Sequence, residues 1–129
     1  MNDLKVLVVE DEILIRMLLK EQLQHNQCEI VGETGNGSTA IEIAEKNKPD
    51  FICMDIKLHN GIDGIEAAKA IHDLNPSIPI LFISAYNYYD QINNIDLPNK
   101  FGYIEKPIQE AQLSEAIKEI RKNMINSAL

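Results

Sequence analysis

The middle of the chain carries the segment PDFICMDIKLHNGIDG at residues 49–64. Its apolar part follows the turn-forming pair Pro49 and Asp50 and breaks off at a carboxylate, Asp55, which leads into a polar loop. A short and almost continuously apolar run is typical of a strand that is covered on both faces. The charge at the end of such a strand either caps the next element or faces a site.

Four other short β-rich runs are spaced along the chain, and a stretch of helical length follows each of the five. The predicted strands are LKVLVV, EIVGE, DFICMD, PILFIS and FGYIE, at residues 4–9, 29–33, 50–55, 79–84 and 101–105. Helix-length connections allow parallel crossovers, so the pattern predicts an α/β fold with a doubly wound parallel sheet.

The helical pattern is clearest over residues 109–125. Apolar side chains recur there at the spacing of one helix face, which we expect to lie on the sheet. The face consists of Leu113, Ala116, Ile117, Ile120 and Met124. Residues 86–100, in contrast, contain four Asn, two Asp and one Pro, so the fourth helix is predicted to be short or frayed.

Length and composition predict one globular domain. The 129 residues are 45% hydrophobic and 25% charged, which is ordinary for a protein of this size. The sequence contains no internal repeat, low-complexity tract or long linker. We therefore expect residues 1–129 to form a single domain with no further domain attached.

The charge balance restricts the partners. Twenty acidic and 12 basic side chains give a net charge of -8, which argues against direct binding to nucleic acid or to an anionic membrane. The apolar stretches are too short to cross a membrane, and the amino terminus does not resemble a signal peptide. Cys28 and Cys53 lack a CxxC or zinc-binding spacing and are interpreted as reduced, packed thiols. Together these features predict a cytoplasmic protein.

Reactive side chains stand at the ends of four of the five predicted strands. The first strand ends in Glu10 and Asp11, the third in Asp55, the fourth in Ser84 and the fifth in Lys106. The carboxyl ends of parallel strands meet at one edge of a sheet, where ligands bind. A single Asp at a strand end commonly caps a helix, but independent capping does not predict this whole combination at one edge.

Three carboxylates that converge on one edge repel one another and raise some of their pKa values, so the cluster calls for a cation. Lys106 and a divalent ion together supply three positive charges against the three negative charges of Glu10, Asp11 and Asp55. Ligation by oxygen alone suits Mg²⁺. The sequence therefore predicts Mg²⁺ as a cofactor.

Four segments, VLVVEDE, MDIKL, ISAY and GYIEKP, resemble the signature segments of the receiver domain of bacterial two-component response regulators. The match spans essentially the whole chain, and the order and spacing of the motifs make it specific. The resemblance implies a flavodoxin-like (β/α)5 fold with strand order 2-1-3-4-5. It also implies a single phosphoacceptor domain over residues 1–129, without a separate output domain.

The resemblance assigns the metal site and the phosphoacceptor. It implies that Glu10 and Asp11 are the acidic pair that holds Mg²⁺, directly or through water. It makes Asp55 both a metal ligand and the nucleophile that receives the phosphoryl group. It also implies that the backbone carbonyl of Lys57 completes the metal shell.

The resemblance also assigns the residues that respond to the phosphoryl group. It implies that Ser84 and Lys106 contact this group, and that Ser84 and Tyr103 form the switch. The Lys106-Pro107 peptide bond is expected to be cis. The implied partners are a sensor histidine kinase or phosphotransfer protein as the donor, and a downstream protein effector or a second copy of the domain at the surface of the fourth helix, fifth strand and fifth helix.

Two alternative functions are left open at this point. A haloacid-dehalogenase-type phosphatase also uses an Asp nucleophile and Mg²⁺, but it places Asp-x-Asp after its first strand, whereas this strand ends in VVEDE. A receiver-like scaffold that is never phosphorylated would act by constitutive protein contact, and the presence of all the site residues argues against it. His59 stands four residues after Asp55, which does not fit the Asp-x-His-x-x-Gly motif of cobalamin binding. We expect phosphorelay signalling, with catalysis limited to self-phosphorylation and self-dephosphorylation of Asp55.

Overall fold

The computed structural model describes residues 3–128. Over this range, strands and helices alternate along the chain as predicted. None of the helices in the described range is both long and apolar enough to span a membrane. The elements are β1 (Leu4–Val9), α1 (Ile13–His25), β2 (Cys28–Thr34), α2 (Gly37–Asn47), β3 (Phe51–Met54), α3 (Gly64–Leu74), β4 (Ile80–Ser84), a 3-10 turn (Tyr86–Tyr88), α4 (Tyr89–Asn93), β5 (Lys100–Glu105) and α5 (Glu110–Ala128).

The five strands form one parallel sheet in the order β2-β1-β3-β4-β5, which confirms the predicted fold class and strand order. The winding reverses between β1 and β3, and this is where a doubly wound sheet opens a crevice for ligands. Val9 and Met54 are the last paired residues of these two strands. The residues that follow them, Glu10 and Asp55, are therefore neighbours at the carboxyl edge.

Apolar layers cover both faces of the sheet. Strand β3 is buried along its whole length because its alternate side chains enter opposite layers, Ile52 and Met54 on one face, and Phe51 and Cys53 on the other. One layer contains the buried side chains of α2 and α3, and the other contains those of α1 and α5. This arrangement explains why the strand runs read as continuously apolar in the sequence.

The two cysteines are free and buried, as predicted. Both belong to the apolar layer that contains α1 and α5. Burial raises the pKa of Cys28 to about 11 and raises the pKa of Cys53 further. Neither group is therefore a thiolate at neutral pH, and both act as small apolar side chains.

Helix α5 is longer than the sequence predicted. Its buried residues Leu113, Ile117 and Ile120 lie on the sheet, but Met124 is 37% exposed, so the prediction that it belongs to the buried face was wrong. Met124 lines an open cavity of about 620 Å³ formed with the loops at the amino-terminal edge of the sheet. The next residue of the helix, Ile125, is exposed as well.

The fourth helix is short, as its composition predicted. It has only five residues, Tyr89–Asn93, and a 3-10 turn precedes it. Ile92 anchors the helix in the core. The Nζ atom of Lys100 donates to the carbonyl of Ile92 at 2.9 Å, which places a positive charge at the carboxyl end of the helix.

Candidate functional site

The ends of β1 and β3 bring three carboxylates together. The backbone N–H of Asp55 donates to the carbonyl of Val9 at 2.9 Å, so the end of β3 is held against the end of β1. Glu10, Asp11 and Asp55 each contribute a carboxylate oxygen that lies within 4.8 Å of the other two. Glu10 and Asp55 are buried, whereas Asp11 is partly exposed.

Lys106 and Ser84 donate to this carboxylate cluster. Nζ of Lys106 lies 2.7 Å from Oε1 of Glu10 and 3.1 Å from Oδ2 of Asp55. Oγ of Ser84, which is buried, donates to Oδ1 of Asp55 at 2.8 Å. Each oxygen of Asp55 therefore has its own donor. The Lys106-Pro107 peptide bond is cis, as predicted.

Burial and hydrogen bonding act in opposite directions on the pKa values of the cluster. Burial raises the pKa of Glu10 from 4.5 to about 7, and the charge of Asp55 adds to this rise, while hydrogen bonds from Lys106 and the backbone of Glu12 oppose it. Burial also acts to lower the pKa of Lys106, but its contacts with Glu10 and Asp55 outweigh burial, and the net shift is upward. Lys106 therefore stays charged, and its ammonium contacts the carboxyl groups of Glu10 and Asp55.

Asp11 differs from Glu10 because the loop after β3 folds back onto it. The backbone N–H of His59 donates to Oδ2 of Asp11 at 3.0 Å, and Nδ1 of the His59 ring contacts the same oxygen. Burial acts to raise the pKa of Asp11, but the hydrogen bonds and charge of His59 outweigh it, and the net pKa is below its usual value. The rise in pKa that is expected from repulsion between the carboxylates thus does not apply to Asp11.

The sequence did not reveal this contact. The position of His59 in the loop suggests a metal or cobalamin role, and its spacing from Asp55 contains no signal that the loop returns to the end of β1. Across residues 3–128, the other oxygen of Asp11, Oδ1, is buried without a hydrogen-bond partner. A buried acceptor of this kind is a place for a cation or a water molecule.

The start of α3 fixes the loop that carries His59. The backbone N–H of Gly64 donates to the carbonyl of Ile56 at 2.7 Å, and Asp63 and Glu66 form a capping box at the first turn. A Cβ atom at Gly64 would lie only 2.0 Å from the carbonyl oxygen of Asp55. Sequence reasoning missed this requirement for glycine, since it depends on two backbones that approach each other in space.

Tyr103 connects the site to the fourth helix. Its hydroxyl donates to the carbonyl of Ser84 at 3.2 Å and also contacts the carbonyl of Ala85. Its ring packs edge-on against Tyr89 of α4, with centroids 5.4 Å apart and an interplanar angle of 74°. Tyr103 therefore contacts both the segment after β4 and the helix that follows, although its role as a switch stays a prediction.

The residues of the cluster fit a hard divalent cation. Its donors are carboxylate oxygens. The carboxyl group of Asp11 also has an oxygen, Oδ1, without a hydrogen-bond partner in the described part of the chain. Oxygen donors of this type suit Mg²⁺. Lys57 is exposed in the adjoining loop, and the contribution of its backbone carbonyl to the metal shell stays a prediction.

A doubly wound sheet with an acidic edge, a hydroxyl and a lysine is the arrangement of a receiver domain. The family model of the response regulator receiver domain matches residues 6–118, and the chain belongs to this family. The transcriptional regulatory protein PdtaR of Mycobacterium tuberculosis is 40% identical over 113 residues. These residues cover 88% of this chain, which spans only 54% of the length of PdtaR. The chemotaxis protein CheY of Thermotoga maritima is 31% identical over 118 residues, which cover 92% of this chain and 98% of CheY.

Solved structures agree with this assignment. The signal receiver domain of a modulated diguanylate cyclase from Desulfovibrio desulfuricans has a TM-score of 0.84 and 29% identity, and the match covers 97% of this chain and 99% of that domain. The receiver domain of AraT from Geobacillus stearothermophilus has a TM-score of 0.88 at 22% identity, with 98% of each chain covered, and supports the fold alone. The chain is therefore a receiver domain of phosphorelay signalling, and the phosphatase and scaffold alternatives are not favoured.

Proposed function

We propose that this domain accepts a phosphoryl group on Asp55 in a Mg²⁺-dependent reaction. The observation that carries the proposal is the hydrogen bonding of the Asp55 carboxylate. One oxygen accepts a hydrogen bond from Ser84 Oγ at 2.8 Å, and the other accepts one from Lys106 Nζ at 3.1 Å. Two donors on a buried carboxylate hold it in one orientation, as a nucleophile requires.

The transfer is a displacement at phosphorus. One carboxylate oxygen of Asp55 forms a bond to the phosphorus of a phosphohistidine on the partner kinase or phosphotransfer protein, and the P–N bond breaks. The imidazole leaves with the electron pair of that bond and takes up a proton. Dephosphorylation ends the signal: water attacks the phosphorus, the bond between phosphorus and the Asp55 oxygen breaks, and Asp55 leaves as a carboxylate while inorganic phosphate and a proton are released. Catalysis by the domain is limited to these two reactions at its own side chain.

Lys106 and Ser84 stabilise the product. An aspartyl phosphate carries about two negative charges where the carboxylate carried one. Lys106 supplies a retained positive charge because its pKa is raised, and Ser84 can transfer its hydrogen bond from Asp55 to a phosphoryl oxygen. Glu10, Asp11, Asp55 and the carbonyl of Lys57 would hold Mg²⁺, and the ion would supply positive charge to the phosphoryl group.

Tyr103 is proposed to carry the change to the surface. A shift of Ser84 toward the phosphoryl group disturbs the carbonyl that the Tyr103 hydroxyl contacts, and Tyr103 packs on Tyr89. A helix of only five residues can rearrange at low cost. The surface of α4, β5 and α5 is then the place where a downstream protein effector, or a second copy of the domain, binds.

The net charge and the free thiols support a cytoplasmic location and protein partners. A net charge of -8 supports protein partners and argues against direct contact with nucleic acid. Two free, buried cysteines are consistent with a reducing compartment, so we place the reaction in the cytoplasm.

The requirement for Mg²⁺ is the direct test of this function. The wild-type chain, incubated with acetyl phosphate, is expected to incorporate phosphate with Mg²⁺ and not with EDTA, as measured on a phosphate-affinity gel. Asp11→Ala should lose most of the Mg²⁺-dependent incorporation, because it removes a metal ligand. Asp73→Ala is the matched control, since this aspartate side chain is 85% exposed and lies on α3. If the wild type incorporates as much phosphate with EDTA as with Mg²⁺, or if Asp11→Ala incorporates as much as the wild type, the reaction does not depend on the metal.

The first turns of α1 offer a docking surface for the phosphodonor protein. Ile13, Leu14, Met17 and Leu18 are exposed and lie along one stripe of the helix. The stripe begins two residues after Asp11, so a partner that covers it also covers the carboxyl edge. A contiguous apolar patch of this kind marks a site of protein contact.

Leu14→Asp tests this surface. The Leu14 side chain is 80% exposed in the first turn of α1, so the change is expected to leave the fold intact. Phosphotransfer from a histidine kinase that phosphorylates the wild-type chain should slow by about tenfold or more, as for a residue at the centre of an interface. Incorporation from acetyl phosphate should be unchanged. Ile125→Asp on α5 is the control, and equal slowing in both variants would contradict the docking surface.

A further inference from the structure

His59 makes two contacts with a single oxygen of Asp11. Its backbone N–H donates to Oδ2 at 3.0 Å, and ring atom Nδ1 contacts the same oxygen. An ionised carboxylate only accepts hydrogen bonds, so Nδ1 is the ring nitrogen that carries the proton in this contact. Two donors from one residue fix the orientation of the Asp11 side chain.

The remaining oxygen of Asp11 is left for another ligand. Oδ1 is buried and has no hydrogen-bond partner within residues 3–128. A buried acceptor without a partner costs free energy. Ligating carboxylates in metal sites typically accept hydrogen bonds on the atoms that do not bind the metal, and these partners orient the ligand. Asp11 has this arrangement, with Oδ2 held by His59 and Oδ1 unpaired.

The ring of His59 is not itself part of the ligand cluster. Among the described residues, the group of donor atoms that lie within 4.8 Å of one another consists of Glu10, Asp11 and Asp55. The His59 side chain is 63% exposed, whereas that of Asp11 is 13% exposed. His59 therefore acts on the cluster from outside, through Asp11.

The loop holds His59 independently of its ring. Ile56 and Leu58 are buried in the core, and the backbone of Ile56 is bonded to Gly64 at the start of α3. His59 follows Leu58 directly, so its backbone N–H is set by the packing of its neighbours. A substitution at His59 is thus expected to remove the ring contact and to retain the backbone hydrogen bond.

We propose that His59 is a positioning residue, which holds Oδ2 of Asp11 so that the other oxygen is presented to the divalent cation and the affinity of the cluster for Mg²⁺ is increased. This inference rests on the proposed function, in which the cluster binds Mg²⁺. It adds a residue that the family motifs did not assign and that lies outside the carboxylate cluster. The lowered pKa of Asp11 agrees with it, because a carboxylate that accepts these hydrogen bonds stays ionised.

The test measures Mg²⁺ binding to the unphosphorylated full chain by isothermal titration calorimetry, for the wild type and for His59→Ala, His59→Asn and His59→Gln. The amide nitrogen of Asn can occupy the position of Nδ1, whereas that of Gln lies one atom further along the side chain. His59→Ala and His59→Gln are expected to weaken Mg²⁺ binding by about tenfold. This is the low end of the loss seen when a metal ligand loses a hydrogen-bond partner, because the backbone donor of His59 remains. Asn should restore most of the affinity.

Two further readouts separate positioning from a structural role. The melting temperature without Mg²⁺ should be the same in all four proteins, since the ring is exposed and the backbone contact persists. The Mg²⁺ concentration that gives half-maximal phosphorylation by acetyl phosphate should rise in His59→Ala and His59→Gln. It should rise by the same factor as the dissociation constant for Mg²⁺. The rate at saturating Mg²⁺ should not change.

The outcomes distinguish this inference from the function on which it rests. If His59→Ala binds Mg²⁺ as the wild type does while Asp11→Ala loses binding, the inference is wrong and the metal site stands. Tighter binding in His59→Ala would show that His59 competes with the cation and would overturn the inference, as would equal weakening in the Asn and Gln variants. If the wild type and Asp11→Ala both fail to bind Mg²⁺, the proposed function itself is wrong.

Discussion

Asp55→Asn will abolish phosphate incorporation from acetyl phosphate. Asparagine keeps the shape of the side chain, but its amide lacks the charged oxygen that attacks phosphorus. Ser84 can still donate to the amide oxygen, so the variant is expected to fold with the site nearly intact. We expect a loss on the order of a thousandfold or more, as for the removal of other catalytic nucleophiles.

The matched control for this variant is Asp73→Asn. The Asp73 side chain is 85% exposed on α3, and its replacement makes the same chemical change away from the cluster. It should be phosphorylated as rapidly as the wild type. Incorporation by Asp55→Asn at the wild-type rate, on a phosphate-affinity gel with Mg²⁺ present, would exclude Asp55 as the acceptor.

Gly64→Ala will strongly destabilise the domain and impair the site. The new Cβ would lie 2.0 Å from the carbonyl oxygen and 2.8 Å from the carbonyl carbon of Asp55, and 2.9 Å from Cα of Ile56. All three atoms belong to the backbone, so no side-chain rotation relieves the clash. Either α3 or the end of β3 must move, and we expect the free energy of unfolding to fall by about 4 kcal/mol or more. Urea denaturation measures this change.

Gly102→Ala provides the comparison. Gly102 lies in β5, and the nearest atom to its added Cβ is Cδ1 of Leu81 at 3.7 Å, an ordinary van der Waals distance. This variant should remain close to the wild type in stability and in phosphorylation. If Gly64→Ala proves as stable as Gly102→Ala, the close approach of α3 to Asp55 does not exist in solution.

The fold could be predicted because each local signal agreed with its neighbours. Strand β1 occupies the predicted residues 4–9, and the other strand ends shift by at most one residue from their predictions. Continuous apolar runs required helices on both faces, and polar residues marked where each strand reached the carboxyl edge. The Asn-rich composition also predicted the short α4.

The details that could not be predicted depend on approaches between distant segments. Met124 lies on an open cavity between α5 and the loops before β3, β4 and β5, and helical periodicity does not report how far along a helix the packing continues. The contact of His59 with Asp11 joins residues 48 positions apart through a loop without periodicity. The need for glycine at position 64 likewise arises from the backbone of Asp55 and not from a turn motif. In each case the sequence supplied the residue and the packing supplied its role.

The site at which phosphate is attached tests the central claim most directly. An acyl phosphate on an aspartate is reduced by borohydride to homoserine, and mass spectrometry of the digested chain locates the reduced residue. After treatment with acetyl phosphate and Mg²⁺, we predict homoserine at position 55 and an unmodified side chain at Asp11. Homoserine at another carboxylate, or a phosphorylated chain without any reduced residue, would contradict the assignment of Asp55 as the phosphoacceptor.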